Sequence, residues 1–116
     1  MSDSILRDKS KEFAKSIIFL CRELKVRKVE GALTSQLLRC GTSIGANIFE
    51  GKYAQGCKDL ISKFEIALKE LNESEFWIEI IFETGGITIE EATKLKSDII
   101  NIRRMLVASV KTLKQK

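Results

Sequence analysis

The stretch that decides the fold is Ser43-Ile44-Gly45-Ala46-Asn47-Ile48-Phe49-Glu50-Gly51. Gly41, Ile44 and Ile48 recur at steps of three and four, which is the spacing of one face of an α-helix. Glycine costs a helix roughly 1 kcal/mol relative to alanine. Gly41 and Gly45 therefore need a compensating reason, and we expect a neighbouring helix to approach closely beside them. The pattern predicts a tight packing site and carries no catalytic chemistry.

Outward from this stretch, four amphipathic segments occupy most of the chain. The first runs from about Ser4 to Val29, the second from about Thr34 to Lys52, and the third from about Cys57 to Glu83. The fourth opens at Thr88 with a Thr-x-x-Glu capping box. We expect Gly31 to cap the end of the first helix. The short connections predict an all-α fold, an antiparallel up-down-up-down four-helix bundle in one domain, residues 1–116.

Composition excludes several classes of protein. The chain has 116 residues, of which 44% are hydrophobic and 31% charged, which is typical of a soluble globular domain. No apolar run approaches the roughly 20 residues of a membrane span, so we expect no membrane partner. The first residues start no signal-peptide pattern, and the expected location is the cytoplasm.

Catalytic and metal chemistry find little support in the residue types. There is no histidine, which removes the usual general base and the imidazole ligand of metal sites. The three cysteines form no Cys-x-x-Cys pair, and we expect buried free thiols. The run from Gly45 to Lys52 fails the spacing of a phosphate-binding loop. We expect no enzyme, no metal site and no cofactor.

A second set of apolar residues lies outside the predicted core faces. Ile5, Phe19 and Val26 share one heptad phase of the first helix, and Ile100 and Val107 share one of the fourth. Aligned apolar residues of this kind form either a wide core-facing stripe or a contact surface for self-association. The sequence leaves both alternatives open.

Charge is segregated along the chain. Residues 1–58 hold 11 Lys/Arg against 6 Asp/Glu, residues 59–91 hold 2 against 9, and residues 92–116 hold 7 against 1. The first and fourth helices are therefore basic, and the third is acidic. Acidic and basic faces could meet between or within subunits, or the basic helices could bind phosphate.

The candidate nucleic-acid contacts are cations on the two basic helices. They are Lys25, Arg27 and Lys28 at the end of the first, and Arg103, Arg104, Lys111 and Lys114 (with Lys116) on the fourth. Arg104 and Lys111 share an outward heptad phase, which a ring of subunits would repeat. Cations near helix C-termini also favour the helix dipole, so a solvated face is the alternative. No aromatic residues interleave with these cations, so the sequence does not indicate that bases stack on this surface.

Two motifs carry a resemblance to a known family. The stretch 43–51 and the later run Lys58-Asp59-Leu60 through Ile66–Leu71 to Glu75-Phe76-Trp77-Ile78 resemble the two hallmarks of the bacterial 23S rRNA intervening-sequence proteins. The family-motif residues are Ser43, Ile44, Gly45, Asn47, Glu50, Gly51, Glu70, Glu75 and Trp77. The resemblance implies a four-helix bundle that assembles as a ring of five. An apparent relative, the accessory protein of diversity-generating retroelements, is a basic pentamer that binds a reverse transcriptase and nucleic acid.

The expected partners are therefore further copies of the chain in a homopentamer, with RNA or DNA or an unidentified protein as further partners. The first functional hypothesis is a nucleic-acid-binding accessory factor acting through the basic helices. The alternative is a protein-binding scaffold without nucleic-acid contact.

Polar motif residues beside the predicted core need hydrogen-bond partners. We expect Asn47, Glu50 and Glu75 to pair with one another or with a neighbouring Lys, Arg or Tyr53. Such pairs would fix the helix register or a subunit contact. Asn47→Leu is then expected to disturb packing or assembly.

Overall fold

Four helices account for most of the chain in a computed structural model, which describes residues 2–116 and the side chains from Ser4 onward. They are α1 (Ser2–Val26), α2 (Gly31–Gly51), α3 (Cys57–Glu83) and α4 (Ile89–Lys114). Each helix packs on its neighbours in the order α1, α2, α3, α4 and back to α1, in a body of 47 × 21 × 19 Å. The described residues contain no strand. The predicted all-α four-helix bundle is confirmed.

The helix ends differ from the prediction at the first connection. The α1 helix ends at Val26, and Lys28 adopts the left-handed conformation with φ 62°. The amide of Val29 donates to the Leu24 carbonyl at 3.0 Å, which closes the last turn. The expectation that Gly31 caps α1 is wrong, because Gly31 is the first residue of α2. A lysine therefore occupies the left-handed position that glycine usually takes.

The start of α4 matches its prediction. The Glu91 amide donates to the Thr88 hydroxyl at 3.1 Å, and the Thr88 amide donates to Glu91 Oε1 at 2.8 Å. This reciprocal pair is the capping box, and it satisfies two amides that a helix start leaves unpaired.

The core is a continuous apolar column in which all four helices take part. Its largest fully buried side chains include Leu6, Phe13, Ile17, Leu24, Leu37, Ile44, Leu71, Ile78, Ile81, Ile99 and Leu106. Their spacing in each helix follows the steps of three and four on which the prediction rests.

The glycines of α2 allow α1 to lie close against it. A Cβ added at Gly41 would stand 2.9 Å from Ile17 side-chain atoms, and one at Gly45 would stand 3.2 Å from the Ser10 carbonyl oxygen. Both distances are shorter than ordinary van der Waals contact. The predicted close approach of a neighbouring helix is confirmed, and that helix is α1.

The cysteines divide into two kinds. Cys21 and Cys40 are buried, and burial raises the pKa of the Cys21 thiol to about 11. Cys40 accepts a hydrogen bond from the buried Ser74 hydroxyl at 3.2 Å. The prediction of a buried thiol is wrong for Cys57, which is exposed at the first position of α3.

Candidate functional site

Five of the seven acidic residues of α3 form ion pairs with cations of the same chain. The cross-helix ion pairs are Arg39–Glu70, Arg39–Glu73, Arg103–Glu75, Lys96–Glu79 and Lys114–Glu65. Opposite charges thus meet within the subunit, along the α2–α3 and α3–α4 seams. Pairing of the acidic helix with basic faces, one of the two uses of the charge segregation considered above, therefore occurs inside the bundle.

Arg39 is the centre of the α2–α3 seam. Its guanidinium donates to Glu70 Oε1 at 3.1 Å and also to Glu73, and the latter bond is the main cause of the lowered pKa of Glu73. The Trp77 indole donates to the same Glu73 carboxylate at 3.2 Å. The family-motif residue Glu70 therefore joins α3 to α2, while Trp77 orients the Glu73 carboxylate from within α3. Arg39 is a partner that the sequence reasoning missed.

The polar motif residues find their partners in different ways. Glu50 accepts from Lys63 at 3.0 Å, and Glu75 accepts from Arg103 at 2.6 Å, so these two carboxylates pair with a Lys and an Arg as predicted. The pairing expected for Asn47 is wrong. Its amide donates at 2.9 Å to the Ser43 carbonyl and at 3.1 Å to the Ser43 hydroxyl, both within α2.

The predicted nucleic-acid contacts divide into paired and unpaired cations. Arg27, Arg103 and Lys114 form ion pairs with Glu91, Glu75 and Glu65. Each of the three already has a carboxylate partner in its own chain, so they are weaker candidates for phosphate contacts than unpaired cations. The remaining candidates are exposed and form no ion pair within the described part of the chain: Lys25, Lys28, Arg104, Lys111 and Lys116.

The second set of apolar residues faces solvent in the subunit. Relative exposure is 53% for Ile5, 62% for Phe19, 75% for Val26, 49% for Ile100 and 51% for Val107. The alternative of a wide core-facing stripe is therefore wrong. We name Ile5, Phe19 and Val26 the α1 stripe, and Ile100 and Val107 the α4 stripe.

The two stripes lie on different sides of the bundle. Ile100 and Val107 share a helical face with Lys96 and Arg103, whose ion pairs point to α3. The α1 stripe shares its heptad phase with Glu12, which lines a hollow between α1 and α4. One stripe is therefore next to the α3–α4 seam, and the other is on the outer side of α1 near α4.

A groove along the outer side of α1 and α2 is a feature that the sequence reasoning missed. Two hollows of about 600 and 460 Å³ lie end to end along this helix pair and share Thr42. Apolar and small residues line them, including Ala14, Ile18, Leu38, Gly45, Ala46 and Phe49. Cations surround them, namely Arg7, Lys11, Arg22, Lys25 and Lys52. We name this feature the α1/α2 groove. Leu38 and Phe49, both outside the core spacing of α2, were its signal in the sequence.

Within residues 2–116, no helix is long and apolar enough to cross a membrane. Across the same residues, no group of three or more His, Cys, Asp or Glu side chains is placed to hold a metal ion.

Comparison with known proteins places the chain in a family. A family model described as the 23S rRNA-intervening sequence protein matches residues 2–108. A crystal structure of a protein of unknown function from the S23 ribosomal protein family of Bacteroides thetaiotaomicron VPI-5482 is 42% identical in sequence. The match covers 96% of this chain and 99% of that one, with a TM-score of 0.93. The curated proteins contain no match. The chain belongs to the 23S rRNA-intervening sequence protein family.

Proposed function

We propose that this protein is a cytoplasmic, non-enzymatic scaffold that assembles head-to-tail into a closed ring of five copies. The observation that carries the proposal is the pair of solvent-exposed apolar stripes on different sides of one small bundle. The ring of five follows the family resemblance, and the contact surfaces follow from the positions of the two stripes.

Two different surfaces favour a ring over a two-fold dimer. In a two-fold dimer the same patch meets itself, whereas a contact between two different patches repeats from copy to copy and forms a ring where the rotation between copies closes. We infer that the α1 stripe of one copy packs on the α4 stripe of the next. Burying apolar area stabilises such a contact by about 25 cal/mol per Å² before the entropic costs of association.

The distribution of charge supports an apolar contact. Five glutamates of α3 already pair with cations of their own chain. The acidic helix therefore has little charge left for a neighbouring subunit, and we expect assembly to depend weakly on salt.

Complementary charge variants test the head-to-tail contact. Phe19→Glu disables the α1 stripe and Val107→Glu the α4 stripe, so each variant alone should sediment as a monomer. Mixed together, the two variants should form a heterodimer, because each retains the surface that the other has lost. Tyr53→Glu, an exposed aromatic outside both stripes, is the matched control and should assemble like the wild type. Single variants that assemble normally would refute the proposal.

A second candidate function is contact with RNA or DNA phosphates. The observation in its favour is that Arg104 and Lys111 are exposed, unpaired within the described chain and in one heptad phase. A ring would repeat this pair in every copy and steepen the salt dependence of binding. Arg104→Glu/Lys111→Glu should then abolish binding of labelled RNA at low salt, and the exposed pair Lys58→Glu/Lys69→Glu should leave it nearly unchanged. RNA binding that the Arg104/Lys111 reversal leaves unaltered would reject this candidate.

A further inference from the structure

The α1/α2 groove has the length and lining of a helix-binding site. Its two hollows extend from Gly31 at the start of α2 to Lys52 just beyond its end. At 1.5 Å per residue this distance is about 30 Å, or nearly six helical turns. Small residues on α2, such as Gly45 and Ala46, keep the wall low, while Ile18 and Leu38 supply apolar contact.

The rim of the groove is basic and uncompensated. Lys11, Arg22 and Lys25 come from α1, and Lys52 follows α2. None of these four forms an ion pair with any residue in the described range. Asp8 is the one acidic residue among those that line the two hollows. An apolar floor between unpaired cations is complementary to an apolar stripe flanked by carboxylates.

We propose that the α1/α2 groove binds an acidic amphipathic α-helix of a partner protein. The apolar side of that helix contacts Ile18, Leu38 and Phe49, and its flanking carboxylates pair with the cations of the rim. The floor of the groove belongs to neither stripe, although the rim cation Arg22 lies over the Phe19 ring of the α1 stripe, 5.7 Å from its centroid. The proposal therefore goes beyond self-assembly.

A second copy of this chain is a poor occupant of the groove. Its acidic helix is α3, and Glu65, Glu70, Glu73, Glu75 and Glu79 are each paired within their own subunit. Supplying them to a neighbouring groove would break those pairs.

A nucleic acid also fits the groove poorly. Phosphates would contact the cations but would leave the apolar floor beside Ile18 and Leu38 in water. That half of the groove has no aromatic ring on which a base could stack.

A designed peptide tests the proposal on the full chain. The probe is a fluorescently labelled helical peptide of about 20 residues, with leucine at helical spacing and glutamate on both flanks. A matched peptide carries lysine in place of glutamate. The protein should bind the glutamate peptide at least tenfold more tightly, as measured by fluorescence anisotropy.

Groove variants locate the binding site. Lys11→Glu/Lys25→Glu should weaken binding of the glutamate peptide by tenfold or more, because two rim cations become repulsive. Leu38→Glu should weaken binding to a similar extent, because it places a charge in the apolar floor of the groove. The control Lys9→Glu/Lys69→Glu makes the same change in net charge at exposed lysines outside the groove, and should keep affinity within about twofold. Thermal melts and sedimentation show whether each variant remains folded and assembled.

Several results would overturn the proposal. One is that the protein binds the glutamate and lysine peptides equally well. Another is that it binds neither peptide. Equal weakening by the control pair would show that net charge alone governs binding. Loss of assembly in the groove variants would assign the groove to a second copy. Labelled RNA that competes for the groove, in a manner independent of Leu38, would assign it to nucleic acid. Loss of assembly in Val107→Glu, whose residue lies on α4 and outside the groove, with peptide binding intact separates this proposal from the scaffold proposal.

Discussion

Arg27 and Glu91 join the end of α1 to the start of α4 through a two-pronged ion pair. Arg27 Nη1 lies 2.9 Å from Glu91 Oε1, and Nη2 lies 2.7 Å from Oε2. The same carboxylate accepts the Thr88 amide of the capping box. Arg27 Nη1 also donates to the Gly86 carbonyl at 3.1 Å. One arginine therefore organises the α3–α4 connection, and the carboxylate that caps α4 also fixes α1.

Removal of this ion pair should make the bundle less stable. The Arg27 hydrogen bond and the Thr88 amide lower the pKa of Glu91 from 4.5 to about 2. The contribution of Glu91 is therefore complete above pH 4.5 and disappears as the pH falls towards 2. Arg27→Ala should lower the free energy of unfolding by about 1 kcal/mol at pH 7, since both side chains are partly exposed. Urea unfolding of variant and wild type should show a difference that narrows as the pH falls from 4.5 towards 2. A constant difference would contradict this assignment.

Filling the close contact between α1 and α2 should also destabilise the protein. In Gly45→Ala the new methyl group meets the Ser10 backbone at 3.2 Å, and a backbone cannot move aside as a side chain can. We expect a net loss of about 1–2 kcal/mol in denaturant unfolding, after the gain in helix propensity. The control is Gly31→Ala, where nothing lies within 4 Å of the added atom, and stability should be equal or higher. Equal stability of Gly45→Ala and wild type would refute the close approach.

The cysteines should react at very different rates. The pKa of Cys21 is raised to about 11, chiefly by burial, and burial also raises that of Cys40. Few thiolates are then present at pH 8, and the two side chains are shielded by the core. Exposed Cys57 should react with a thiol reagent within minutes, and the other two only after unfolding. Cys57→Ser is the control and should leave no fast-reacting thiol. Three fast-reacting thiols in the wild type would contradict the burial of Cys21 and Cys40 in the core.

Asn47→Leu should have a small effect on the subunit. Both of its hydrogen bonds go to Ser43 in the same helix, so no contact between helices is lost. We expect a melting temperature within a few degrees of the wild type. Arg39→Ala is the contrasting variant, because it removes the link to Glu70 and Glu73 and should lower the melting temperature more. A larger loss of melting temperature in Asn47→Leu than in Arg39→Ala would contradict this and would show that Asn47 helps to fix the helix register.

The sequence was sufficient for features that depend on local pattern. The spacing of Ile44 and Ile48, the capping box at Thr88 and the small residues Gly41 and Gly45 each have one local explanation. Features that depend on which helices become neighbours could not be read in the same way. Arg27, Arg103 and Lys114 looked like free cations until the fold placed a glutamate beside each of them.

The exposed surfaces were predicted only in part. The heptad phase identified the α1 and α4 stripes but could not distinguish core from solvent, since that depends on how far each helix rotates towards its neighbours. The α1/α2 groove was missed because its lining alternates between two helices. The close contact at Gly45 brings these helices together, and Leu38 and Phe49 on α2 show only one wall of the groove.

The mass of the assembled protein in solution tests the scaffold most directly. Light scattering coupled to gel filtration, at several protein concentrations, should give five times the 13.1 kDa chain mass, unchanged in high salt. Phe19→Glu and Val107→Glu should each give the mass of one chain, and their mixture should give the mass of two. A wild-type protein that stays at 13.1 kDa at all concentrations would contradict the account.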